Sequence, residues 1–178
     1  MKRFLYLACL ALASCEVIPV VPQESYMYEG EICPQVQIIR NDAYLSQFVG
    51  YKEQFQISIS GYNGYCYYDK VIQRYRAVIS PTFKIKRLSP SPETDVRFSY
   101  YTETAKGPKE YLGKKTYYIT AHIGPNEYET YYTAPEVKVL IPDNMIKDYD
   151  VNLGLWISPN EAKYNQRTFD INYRYIGK

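Results

Sequence analysis

Few side chains in this sequence are able to do chemistry, and most of them stand apart. The chain has 178 residues, with four cysteines and a single histidine. His122 falls in an alternating stretch that ends at Gly124-Pro125. Neither G-x-S-x-G nor H-E-x-x-H occurs, so neither the turn that exposes a nucleophilic serine nor the helical pair that holds a catalytic zinc is encoded. A lone histidine on the polar side of a strand reads as an exposed or hydrogen-bonded residue in preference to a catalyst. Asp143, Asn144, Asp148 and Asp150 gather ahead of an apolar stretch. They lack the D-x-D-x-D-G spacing of a calcium loop, so a solvated loop is expected there. Two thiols and one distant histidine make no zinc ligand set. No catalytic residue, metal or cofactor is expected, and the chain reads as a non-enzyme.

The cysteines carry more information. Residues 1–15 run MKRFLYLACLALASC: two cations, an apolar run, then small residues, which is the layout of a secretory signal peptide. The apolar run is shorter than the ~20 residues a membrane-spanning helix needs. Leu12-Ala13-Ser14-Cys15 resembles the lipobox of bacterial lipoproteins, and the resemblance implies cleavage before Cys15 with palmitate-type acylation of that residue. Ala11-Leu12-Ala13 also reads as an A-x-A site, and cleavage after Ala13 would release a soluble protein. That second route leaves Cys15, Cys33 and Cys66, an odd number in an oxidising compartment. Lipidation consumes Cys15 and leaves Cys33 and Cys66 as an even pair, expected as a disulfide.

Loss of residues 1–14 removes Lys2 and Arg3, so 21 basic residues become 19 against 19 acidic ones. A near-neutral chain with no clustered basic face gives no reason to expect a nucleic-acid partner. Lys84-Ile85-Lys86-Arg87 alternates with an apolar residue and reads as the solvent side of a strand. Residues 15–32, broken by Pro19 and Pro22, read as a lipidated cysteine and flexible tether. Its 17 residues after Cys15 have an r.m.s. reach of ~20–25 Å. Glu16 in place of aspartate resembles the outer-membrane sorting class.

Residues 33–178 read as one domain. Residues 54–60 alternate, with Phe55, Ile57 and Ile59 on one side. Gly61-Tyr62-Asn63-Gly64 offers turn chemistry, so residues 65–69 are expected to return as a hairpin partner. Residues 71–88 are extended, with Pro81 making either two strands or one bent strand. Further strands are expected over residues 36–40, 96–100, 116–123, 128–133, 137–141 and 149–157, with an ambiguous segment at 43–49. Ser158-Pro159-Asn160-Glu161 is a capping box opening one or two helical turns through Asn165. Phe169, Ile171, Tyr173 and Tyr175 alternate as a closing strand. The expected fold is an all-β, antiparallel immunoglobulin-like or fibronectin-like sandwich of eight to ten strands with one short helix, a barrel being the alternative.

Tyrosine is the compositional outlier at 22 residues. It occurs as the doublets Tyr67-Tyr68, Tyr100-Tyr101, Tyr117-Tyr118 and Tyr131-Tyr132. Neighbouring strand residues point to opposite faces, so each doublet is expected to bury one ring and expose the other. Cross-strand pairing on a solvated sheet explains them most simply. An aromatic face for a protein partner or a glycan is the functional alternative.

Several landmarks together resemble a family of alphaproteobacterial outer-membrane lipoproteins. They are Cys33-Pro34 before a short apolar strand, Gly64-x-Cys66-Tyr67, and Val151-x-x-Gly154-Leu155 leading to Ser158-Pro159 and Tyr164-Asn165. Where that pattern has arginine after the asparagine, this chain has Gln166, then Arg167. The resemblance implies an outer-membrane address and carries over no activity. The sequence thus describes a lipid-anchored envelope lipoprotein, non-catalytic, working as a structural or protein-interaction module with an envelope partner. A glycan- or small-ligand-binding sandwich is the alternative.

Overall fold

The computed structural model describes residues 33–89, 93–107, 110–142 and 146–169. Among them, β-branched and aromatic residues alternating with polar ones build nine strands: β1 (Gln35–Ile38), β2 (Tyr44–Val49), β3 (Lys52–Asp69), β4 (Arg74–Arg87), β5 (Thr94–Lys106), β6 (Glu110–Ile123), β7 (Glu129–Thr133), β8 (Val137–Leu140) and β9 (Tyr149–Leu155). A single α-helix, α1 (Pro159–Phe169), follows. Two sheets form, in the orders β1-β9-β5-β6 and β2-β3-β4-β7, with β8 also pairing β4. The expected all-β sandwich is the observed one. Every strand pair is antiparallel except β1 with β9, which run parallel.

The alternation predicted from the sequence fills the space between the sheets. Phe55 and Ile57 of β3 and Phe83 and Ile85 of β4 meet Val96, Phe98 and Tyr100 of β5 and Ile119, Ala121 and Ile123 of β6. The rings of Phe83 and Phe98 cross edge-on at 5.0 Å. A second cluster, with Cys66, Ala77, Ile79, Val139, Ile141, Tyr149 and Val151, closes the other half of the sandwich. Cys33 and Cys66 are bonded there, their Cα atoms 5.5 Å apart. The bond fixes the start of β1 to β3, across the two sheets.

Three segments depart from expectation. Residues 61–64 make no hairpin: β3 runs straight through them as one 18-residue strand paired with β4. Neither glycine has the positive φ of a tight turn; among glycines that conformation belongs to Gly50 and Gly107. Instead the register shifts between Ile59 and Gly61. A Cβ on Gly64 would lie 2.7 Å from the Val78 carbonyl oxygen, so this glycine serves close backbone approach. Pro81 bends β4 without dividing it. The strand changes partner on that side from β8, at residues 76–79, to β7, at residues 82–86, so the missing N–H falls in the gap. The Pro81 carbonyl there accepts the Ala134 amide at 2.9 Å.

The helix is longer than expected and contains Phe169, which therefore does not begin a strand. Its capping box forms as read, Ser158 N–H donating to Glu161 and Glu161 N–H to Ser158 Oγ. Ile171, Tyr173 and Tyr175 lie outside the described residues, as do the leader, Cys15 and the tether.

Candidate functional site

Two places gather polar and aromatic side chains. The first is a clasp on the outer side of the β1-β9-β5-β6 sheet. Tyr101 projects outward from β5 and is paired across the strand with Gly154 of β9. Glycine there leaves room for the ring: a Cβ would stand 2.7 Å from Tyr101 Cζ. The Tyr101 hydroxyl donates to Asp42 Oδ2, on a short helical turn between β1 and β2. Lys114 of β6 lays its Nζ 3.4 Å from the Tyr101 ring centroid and 4.8 Å from that of Trp156. Trp156 meets Tyr101 edge-on at 6.4 Å. Burial pushes the Tyr101 phenol far above its ordinary pKa, and the bond to Asp42 acts in the same direction.

A cation above two aromatic faces is a favourable arrangement, strongest when partly shielded from water. Here the chain supplies that cation itself. The clasp joins β5, β6, β9 and the Asp42 turn where the helix begins, and the cavity of about 190 Å³ beside it touches Ser158 and Pro159. Its role is structural. Asn165, buried in α1, completes the fastening: its Nδ2 donates to the Asn41 and Tyr44 carbonyls at 3.1 and 2.7 Å.

The second place is a cleft of about 380 Å³ between the two sheets. It arises from unequal strand lengths. β6 has 14 residues, while the opposing edge strand β8 has only 4. Residues 110–115 of β6 are consequently exposed along both faces. The inward side of β5 reads Val96, Phe98, Tyr100, then Thr102 and Thr104. Its cross-strand partners on β6 read Ala121, Ile119, Tyr117, then Lys115 and Gly113. Both strands change from apolar to polar at the same level, where the cleft opens.

Thr102 and Thr104 are buried polar residues lining the cleft. Tyr117 also lines it, stacked on Tyr100 at 5.0 Å, and its buried hydroxyl has no hydrogen-bond partner among the described residues. Arg74, Lys115 and Lys138 bring positive charge, and no described lining residue is acidic. Lys114 also borders the cleft, but its ammonium is turned to the clasp. Leu112, Val139 and Leu140 complete an apolar edge.

The sequence-predicted residues fall elsewhere or divide. All four doublets turn their rings to opposite faces, yet burial follows the neighbours. Tyr100 and Tyr101 are both buried, at 1% and 3% exposure, because the clasp covers the outer side of β5. Tyr118 is exposed on the outer side of that same sheet, whereas Tyr67 and Tyr131 face outward from the other one. Tyr68 shares the inward side with Cys66 but lies beyond the core, against Tyr75 at 5.1 Å. Tyr132 packs partly buried against the core. The outward tyrosines are therefore divided between the two sheets, Tyr118 on one and Tyr67 and Tyr131 on the other.

His122 is exposed and sits 3.1 Å from Asp95 across the strand pair. Asp143 and Asn144 are outside the described residues; Asp150 accepts a hydrogen bond from Gln37 at 3.0 Å. Among the described residues, no three His, Cys, Asp or Glu side chains come together as metal ligands. The clasp and the cleft were both missed in the sequence. An isolated glycine within a strand pattern, Gly154, was the available sign of the first. In comparisons with protein-family models, curated proteins and solved structures, nothing matches the chain.

Proposed function

We propose that the protein is a lipid-anchored outer-membrane lipoprotein whose sandwich is a non-catalytic module held at the envelope to engage a partner there. The observation that carries this reading is the Cys33–Cys66 bond. With those two thiols paired, Cys15 is the remaining cysteine after the apolar run, directly behind Leu12-Ala13-Ser14. A disulfide also fits an oxidising compartment. Two or more acyl chains give stable membrane attachment where one gives only marginal binding.

Metabolic labelling with a palmitate analogue tests the anchor. Label in the wild-type chain and none in Cys15→Ser, with that variant moving to the soluble fraction, is the expected outcome. Unlabelled wild-type protein, or wild-type protein free in the culture fluid, would refute the anchor. Crosslinking in native membranes tests the module, and absence of any protein neighbour counts against it. A small-ligand function is the second reading, favoured by the cleft between β6 and β8 in place of a tyrosine face.

A further inference from the structure

The geometry points to the β6–β8 cleft as a binding site for a small ligand bearing an oxyanion, phosphate or carboxylate, on a hydroxyl-rich body. The site goes beyond the anchoring function and does not depend on it. Three features converge. The inward register of β5 and β6 turns from apolar to polar at Thr102, Thr104 and Lys115, while the neighbouring strands β4, β8 and β9 bring Ala77, Ile79, Val139 and Val151 to the second core cluster. Lys115 is exposed at the mouth, but Thr102 and Thr104 are buried, and buried hydroxyls are costly unless a polar group meets them. Arg74, Lys115 and Lys138 come from three strands, β4, β6 and β8, and place like charges around one opening with no acidic lining residue among those described.

An oxyanion entering the cleft meets three cationic lining residues and no acidic one among those described. Tyr117 adds its ring to the wall, and its hydroxyl, buried behind that ring, has no hydrogen-bond partner among the described residues. The cleft's volume of about 380 Å³ falls in the range of small-molecule sites.

A free phosphorylated polyol and the headgroup of an anionic phospholipid share this chemistry, and the test separates them. Full-length protein is placed in phosphatidylcholine vesicles, and modification of Lys115 and Lys138 by an amine-reactive reagent is followed by mass spectrometry. In one arm glycerol 3-phosphate is added, with glycerol as the neutral control; in the other, phosphatidylglycerol replaces part of the lipid. Saturable protection of both lysines in the first arm identifies a soluble ligand, and protection in the second arm alone identifies the headgroup. Either result supports the site, provided that Lys115→Gln and Lys138→Gln each weaken the remaining lysine's protection by about tenfold.

Both lysines are exposed, so these variants should keep the wild-type far-UV spectrum. Protection in neither arm, equal protection by glycerol, or full protection in both variants would overturn the assignment.

Discussion

Gly154→Ala is the substitution that most directly probes the clasp. The added Cβ would meet Tyr101 Cζ and Oη, both 2.7 Å away. A van der Waals contact needs roughly 1 Å more, and the ring is in no position to give it. Its hydroxyl is bound to Asp42 and its face lies under Lys114. Moving it forfeits a hydrogen bond to a charged group, about 1.5–3 kcal/mol, and a cation–π contact of about 0.5–2 kcal/mol. Alanine returns about 0.5–1 kcal/mol by restricting the unfolded chain. The net loss is about 1–4.5 kcal/mol, which lowers the melting temperature by about 3–15 °C in a domain of this size.

Urea titration followed by far-UV circular dichroism measures it. Emission of Trp156, the chain's only tryptophan, reports the clasp itself. Gly61→Ala is the control, since nothing lies within 4 Å of a Cβ there. Gly154→Ala within about 0.5 kcal/mol of wild type, or no more harmful than Gly61→Ala, would refute the close-approach explanation.

Three further outcomes are expected. Replacing Cys33 and Cys66 by serine opens a cross-link of sequence separation 33 and should cost roughly 4 kcal/mol in the chain-entropy model, read as a lower urea midpoint. The Tyr100 and Tyr101 phenols are pushed above the usual tyrosine range, first by burial, with the Asp42 bond adding to the shift at Tyr101. The folded state therefore holds these protons more tightly than the unfolded chain. Their contribution is fully present below pH ~10 and is lost as pH rises beyond it. Titration at 295 nm should show tyrosines that ionise only as the native circular dichroism disappears. Asn165→Ala strips the Asn41 and Tyr44 carbonyls of their donor, an expected loss of about 1–3 kcal/mol. Hydrogen exchange should show it first in α1, and uniform exchange across the sheets instead would place the effect elsewhere.

The fold was legible because its signals are local. Alternation over Phe55, Ile57 and Ile59 or over Tyr117, Ile119 and Ala121 needs only a few consecutive residues to declare a buried face, and the structure buries those faces. The capping box at Ser158 is equally local, and it forms. Gly61-Tyr62-Asn63-Gly64 misled because glycine has two uses in a sheet. It permits the positive φ of a turn, and it permits a bulge or a close backbone. Only the strand lying opposite, with the Val78 carbonyl against Gly64, decides between them. The helix was cut short for a related reason: alternation at Phe169 suggested a strand, whereas Asn165 ties that segment to β2 from more than a hundred residues away.

The site was less legible because it is a property of mismatch between elements. Lys115 and Thr102 become neighbours only through the β5–β6 register. Lys138 comes near them only because β8, on the opposing sheet, is short. No window of sequence contains that relation. The tyrosine doublets show the converse. They are conspicuous in the sequence, yet which sheet a strand joins sends Tyr118 to one side of the molecule and Tyr131 to the other. A strand's period tells which residues share a face, and the sheet order tells which faces meet. Chemistry that depends on the second stays hidden until the sheets are assembled. That is why the polar switch at Thr102, which interrupts an otherwise apolar inward register, carries more weight for binding than the abundance of tyrosine does.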